Sequence, residues 1–197
     1  MIRYEVMKVL FLDIDGVMNS GRHFRDTHDE RLEMAKERNL SKEELMFRHK
    51  MGQLDRVSIG YLNKIVEGTG CKIVISSTWR KFTPIDEIRE MLSIKGFKYS
   101  EFIIGVTEDF NLSGSRGYEV HNWMNEFEGE IESFVILDDD GDMWHLLPWH
   151  VRTDGEDGLN EASCELCIKL LNNGREELTG WESVYRYFDC KDYGIFA

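Results

Sequence analysis

Residues 7–17 read Met-Lys-Val-Leu-Phe-Leu-Asp-Ile-Asp-Gly-Val. An apolar run of strand length ends in two acids one residue apart, Asp13 and Asp15, and a glycine follows at once. Near-continuous apolar character marks a strand buried on both faces, the kind found in parallel sheets. Open parallel sheets bind ligands at the carboxyl ends of their strands. Two carboxylates delivered there repel each other unless something positive sits between them. The simplest partner is Mg²⁺, a hard cation that takes carboxylate oxygens.

The pattern repeats further along the chain. A short apolar strand at Lys72–Ile75 ends in Ser76-Ser77-Thr78-Trp79-Arg80. Another at Phe134–Leu137 ends in Asp138-Asp139-Asp140-Gly141-Asp142. Helical periodicity separates these strands. Val57–Glu67 is amphipathic and stops at Gly68 and Gly70. Thr83-Pro84 opens a helix reaching Ile94, with proline at the favoured first position. Gly117–Phe127 places Val120, Trp123, Met124 and Phe127 on one face. Glu101–Val106 and His150–Thr153 read as further short strands, and a last helix starts near Asn160. Strands alternating with helices predict an α/β fold: a doubly wound parallel sheet with helices on both faces. Residues 18–55 form an insertion after the first strand, with a capping box at Ser41-Lys42-Glu43-Glu44.

Bulk properties narrow the choices. A chain of 197 residues with 42% apolar and 31% charged content suits one soluble domain with an insertion. No apolar run approaches the roughly 20 residues that span a bilayer. The N-terminus runs straight into the acidic pair and lacks a secretory pattern, so a cytoplasmic location is expected. The net charge of −13 disfavours a long footprint on nucleic-acid phosphates. Residues 21–50 escape this bias, with eight Lys or Arg against seven Asp or Glu. Within them Arg22, His23, Arg25 and His28 lie nearest the acidic motif and are candidates to guide an anionic substrate inward. Cys164 and Cys167 form a CxxC on a helical stretch. No second pair completes a zinc site, so core packing is the better reading. Asp154 and Asp157 lack EF-hand spacing and read as a turn. Trp123, Trp144, Trp149 and Trp181 read as packing residues, and His121, His145 and His150 lack metal-ligand spacing.

In a doubly wound sheet the three polar strand ends share one crevice. Acids from two strands and hydroxyls from a third describe a pocket for a metal ion and a phosphate. The set resembles the haloacid dehalogenase (HAD) superfamily of phosphohydrolases. Its first motif, DxDG after an apolar strand, corresponds to Asp13-Ile14-Asp15-Gly16. Its second, a Ser or Thr at a strand end, corresponds to Ser76. Its fourth, an acidic pair after a strand, corresponds to Asp138-Asp139. "ISSTWR", "RGYEV" and "ILDDD" together are similar to the HAD phosphatase-like modules of RNA-repair proteins.

The resemblance implies a Rossmannoid core over residues 1–17 and 56–197, with a small helical flap or cap at 18–55. It implies Asp13 as nucleophile through an aspartyl-phosphate and Asp15 as general acid and base. Mg²⁺ is the implied cofactor, with Asp13, Asp15, Asp138 and Asp139 at the metal; Asp142 is a weaker candidate. Ser76 and Ser77 are the implied phosphate-binding hydroxyls. The third motif needs a cation, and Arg116 is the single Lys or Arg between Lys98 and Asp138. Lys is commoner there; Arg grips two oxygens but does not tune its pKa. Arg80 is either a surface cation or a second group near the substrate.

The expected activity is Mg²⁺-dependent hydrolysis of a phosphomonoester on a nucleotide, a sugar phosphate or a polynucleotide end. Removal of a terminal phosphate in nucleic-acid repair is the alternative. A HAD-like module that binds phosphate or a partner without turnover is the rival of another class. No membrane and no obligate protein partner are expected.

Overall fold

The computed structural model describes residues 6–34, 36, 40–110 and 116–173. Five parallel strands form one sheet: β1 (Val6–Leu12), β2 (Lys72–Ile75), β3 (Ile103–Val106), β4 (Glu130–Asp138) and β5 (His150–Arg152). Their spatial order is β3-β2-β1-β4-β5, so the chain winds outward from β1 in one direction and then the other. The crevice between β1 and β4 is therefore the topological switch point, where such sheets bind ligands. Leu12 is in register with both Ile75 and Leu137, which brings the polar strand ends level.

Seven helices are described: α1 (Gly21–Asp26), α2 (His28–Met34), α3 (Lys42–Gln53), α4 (Arg56–Thr69), α5 (Ile85–Lys95), α6 (Arg116–Glu126) and α7 (Glu161–Asn173). Alternation along the strands divides the core between two faces. Leu10, Leu12, Ile73, Ile75 and Leu137 pack with α4, α5 and α7. Val9, Phe11, Val74 and Ile136 pack with Val120 of α6 and with Met143, Leu146 and Leu147. Cys164 and Cys167 are both buried in the first of these clusters. Trp123 meets Phe11 edge-on at 5.4 Å, and Trp149 stacks on Phe134 at 5.2 Å. Trp181 and Cys190 lie outside the described residues.

Several element ends shift by a residue or two from the sequence reading, Pro84 standing as the N-cap of α5 rather than its first residue, and two strand starts differ for a physical reason. Glu101 and Phe102 belong to a 3₁₀ turn, Ser100–Phe102, closed by Phe102 N–H donating to Tyr99 O; β3 starts only at Ile103. β4 begins at Glu130, because Val6 and Met7 pair with Glu130 and Ile131 before the apolar stretch starts. The insertion holds α1 to α3, with the Ser41–Glu44 capping box formed as read. None of the described residues in α1, α2 or α3 is fully buried, though the half-buried Phe47 and Met51 of α3 pack against the first core cluster. No described helix is long and apolar enough to cross a membrane.

Candidate active site

Each residue just beyond a strand bonds back to its neighbour. Asp13 N donates to Leu137 O at 3.0 Å, Ser76 N to Leu12 O at 2.9 Å, and Thr107 N to Ile75 O at 3.0 Å. Thr107, Ser76, Asp13 and Asp138 thus form a row across the sheet. Asp13 follows Val9 and Phe11 and so faces α6. All four residues are buried. The hydroxyls of Ser76 and Thr107 have no hydrogen-bond partner among the described residues, a costly state unless a polar ligand answers them.

Asp13, Asp138 and Asp139 each offer a carboxylate oxygen, and these atoms lie within 4.8 Å of one another. Asp138 Oδ2 has no hydrogen bond. Among the described residues its one cationic neighbour there is the Nε of Arg116, at 3.3 Å, and Arg116 Nη2 is 3.5 Å from Asp13 Oδ1. Burial pushes Asp13 above the ordinary carboxylate range; Arg116 and a hydrogen bond from Ser77 work the other way. Burial and then the charge of Asp13 push Asp138 up further. Asp139, half-buried, is raised by burial and by Asp140. Three crowded carboxylates with elevated proton affinity are a hard-oxygen donor set that suits Mg²⁺.

Two glycines shape this cluster. Gly16 has φ +69°, a conformation that side chains resist, and a Cβ there would stand 2.2 Å from Asp139 Oδ2. A Cβ on Gly155 would stand 2.9 Å from the same oxygen. The Asp139 carboxylate therefore lies between two bare stretches of backbone.

These strand-tip acids, the cation over them and the hydroxyl end of β2 follow the order of the HAD motifs. The family of HAD domains in Swiss Army Knife RNA repair proteins matches the chain over residues 9–164. The chain belongs to this HAD family. No curated protein and no solved structure matches it. The matched span holds every residue that the sequence singled out for the HAD site.

The HAD site is not assembled in every detail as the sequence suggested. Asp15 is exposed, and its carboxylate lies outside the cluster of Asp13, Asp138 and Asp139. Trp79 Nε1 lies 3.1 Å from both of its oxygens, and Asn19 Nδ2 donates to Oδ1 at 2.8 Å. Asp142 also stays out of the cluster. Its Oδ2 accepts the backbone N–H of Arg116 at 3.1 Å and so holds the start of α6. Gly117 makes this approach possible, since a Cβ there would meet Met143 O at 2.1 Å. Arg80 is neither a surface cation nor beside the acids: it is buried beneath the tips of β2 and β3.

The residues expected at a cationic entrance have partners in the structure. Arg22 pairs with Asp157 at 3.4 Å and Asp55 at 3.9 Å, Arg25 pairs with Glu156, and the His23 ring meets Gly52 O at 3.1 Å. These groups clasp α1 to the turn at 154–158 and to the end of α3. Sequence reasoning missed Asn19, Trp79, Thr107 and Glu119. Only Asn19 carried a local signal: its side-chain oxygen accepts Gly16 N at 2.8 Å, a short-range Asx bond. Asp15 and Trp79 stand 64 positions apart, and no local pattern links them.

Proposed function

We propose that this HAD domain is a phosphomonoester hydrolase working through Asp13. The observation that supports this reading best is the buried row of Ser76, Asp13 and Asp138, with an orphan hydroxyl on one side and Arg116 over the carboxylates. Asp13 attacks phosphorus, the bond to the leaving oxygen breaks, and the phosphoryl group rests on Asp13. Asp15 donates its proton to the departing oxygen. Water then attacks the same phosphorus and gives a proton to Asp15. The bond to Asp13 breaks, releasing orthophosphate and restoring the free carboxylate. Ser76, Ser77 and Arg116 hold the phosphoryl oxygens through donated hydrogen bonds. A Mg²⁺ ion held by Asp13, Asp138 and Asp139 would neutralise charge on the phosphoryl group.

The substrate proposed is a terminal phosphate on nucleic acid. The family's occurrence in RNA repair proteins supports this choice. The charge of −13 supports a grip on the terminal phosphate alone rather than along a strand. Residues 18–55 serve as a small cap that leaves room for a long substrate. The buried free thiols of Cys71 and Cys164 suit a reducing, cytoplasmic setting.

A phosphate-release screen with Mg²⁺ over nucleotides, sugar phosphates and 3′- or 5′-phosphorylated oligomers tests the proposal. We expect oligomers to react fastest and Asp13→Asn to lower release by at least about a thousandfold. Equal activity of parent and Asp13→Asn would overturn the role of Asp13. Phosphate binding without turnover would favour a non-catalytic module. Faster release from free nucleotides would overturn the nucleic-acid assignment alone.

A further inference from the structure

Arg80 has a side chain only 3% exposed. A guanidinium carries five N–H donors in one plane. Here Nε donates to Thr107 O at 2.8 Å. Nη1 donates to Ser76 O at 2.8 Å and Ser77 O at 2.6 Å. Nη2 reaches Glu108 O at 3.3 Å and Glu119 Oε2 at 2.6 Å. Five donors thus meet five acceptors, and the orientation of the group is fixed. Four acceptors are backbone carbonyls at the tips of β2 and β3. The fifth is a carboxylate on α6.

That same Glu119 oxygen lies 3.2 Å from Nη1 of Arg116. Charges therefore alternate in a chain: Arg80, Glu119, Arg116, and then the Asp13–Asp138 pair. Arg116 is the first residue of α6, where a side chain has few neighbours in its own helix to steady it. Its anionic partners pull in opposite directions. Asp13 and Asp138 draw it onto the carboxylates; Glu119 ties one terminal nitrogen back. Without that tie the guanidinium would settle against the two acids and face away from an arriving phosphate.

We propose that Glu119, oriented by Arg80, is a positioning residue that sets the place of the Arg116 guanidinium and thereby the site's affinity for a phosphoryl group. The inference rests on the reading of Arg116 as a phosphate ligand. Glu119 does its work without touching the substrate. Arg80 acts one step further back and also levels the carbonyls of Ser76, Ser77 and Thr107.

A double-mutant cycle on the full chain tests it, with orthophosphate as the probe, Mg²⁺ present and calorimetry as the readout. Glu119→Gln should weaken phosphate binding about tenfold in the parent. It should cause no further loss in an Arg116→Ala background, because its effect runs through Arg116. The same cycle in kcat/KM covers variants that bind phosphate too weakly for calorimetry. Glu119→Asp, which keeps the charge, should recover part of the loss. Arg80→Lys should follow the pattern of Glu119→Gln. Additive losses in a parent that binds phosphate would overturn the positioning role alone. A parent that neither binds phosphate nor hydrolyses any ester would overturn this role together with the proposed function. Failure of both Glu119 variants to fold would mark a purely structural residue and overturn the inference.

Discussion

At the tips of β1 and β4, three carboxylates crowd together with Arg116 as their cationic neighbour. At the tips of β2 and β3, the buried Arg80 has its five donors matched by four carbonyls and a carboxylate. The first pair of tips is electrostatically incomplete; at the second the buried charge is matched, while the hydroxyls of Ser76 and Thr107 stay without a partner among the described residues. A matched charge fixes a side chain, and the unmatched acids are what the proposed metal site would offer a cation from outside. Glu119 belongs to both regions, since one of its oxygens meets Arg80 and Arg116 together. A pocket for a charged substrate needs a firm wall beside an unsatisfied one, and this sheet divides those duties between its two halves.

Breaking the charge-matched half should have the largest effect. Arg80→Ala leaves Glu119 with Arg116 at 3.2 Å and takes the donors from four carbonyls, and should cost about 3 kcal/mol in urea unfolding. Altering the incomplete half should act in the opposite sense. Asp138→Asn should stabilise the metal-free protein at alkaline pH, where the buried carboxylate is otherwise forced to ionise. The same variant should lose at least about tenfold in Mg²⁺ affinity by calorimetry. An unchanged Mg²⁺ affinity would remove Asp138 from the metal site.

pH sharpens the contrast. Burial raises Asp13 to about 6 and Asp138 to about 8, against an ordinary value of 3.8. The native state therefore keeps protons that the unfolded chain has already lost. This contribution to stability is complete below pH 3.8 and disappears as pH rises through about 6 and then about 8. In the proposed metal site a divalent ion would take the place of those protons. Thermal melting should thus show a larger Mg²⁺-induced rise at pH 8 than at pH 5. An equal rise at both would contradict the raised proton affinity. The smallest effect belongs to Trp79→Phe, which removes the indole donor to Asp15. It should lower kcat about fivefold, leave KM in place and shift the pH profile.

Much of this was readable in the chain itself. The apolar runs before Asp13, Ser76 and Asp138 predicted three central strands, because burial on both faces leaves a plain local mark. Asp13, Asp138 and Asp139 were legible for the same reason: acids that follow such runs must emerge at one edge. The start of β4 was not, since Glu130 and Glu132 are exposed and take their strand geometry from pairing with β1. Glu119 looked like any helix-surface acid; only folding brings Arg80 to it from 39 positions away. The partners of Arg22 and Arg25 were not legible, because a local count of charges cannot see Asp157 and Glu156, which arrive from more than a hundred residues downstream.

The bare backbone on either side of Asp139 carries one more consequence. Gly155 does not need a left-handed conformation, so its value lies in the space it leaves. A single methyl group at that position would act as a wedge under the carboxylate and spare the scaffold. In the proposed metal site, ion selectivity would thus shift through a residue that offers no ligand, by tilting a neighbour that does.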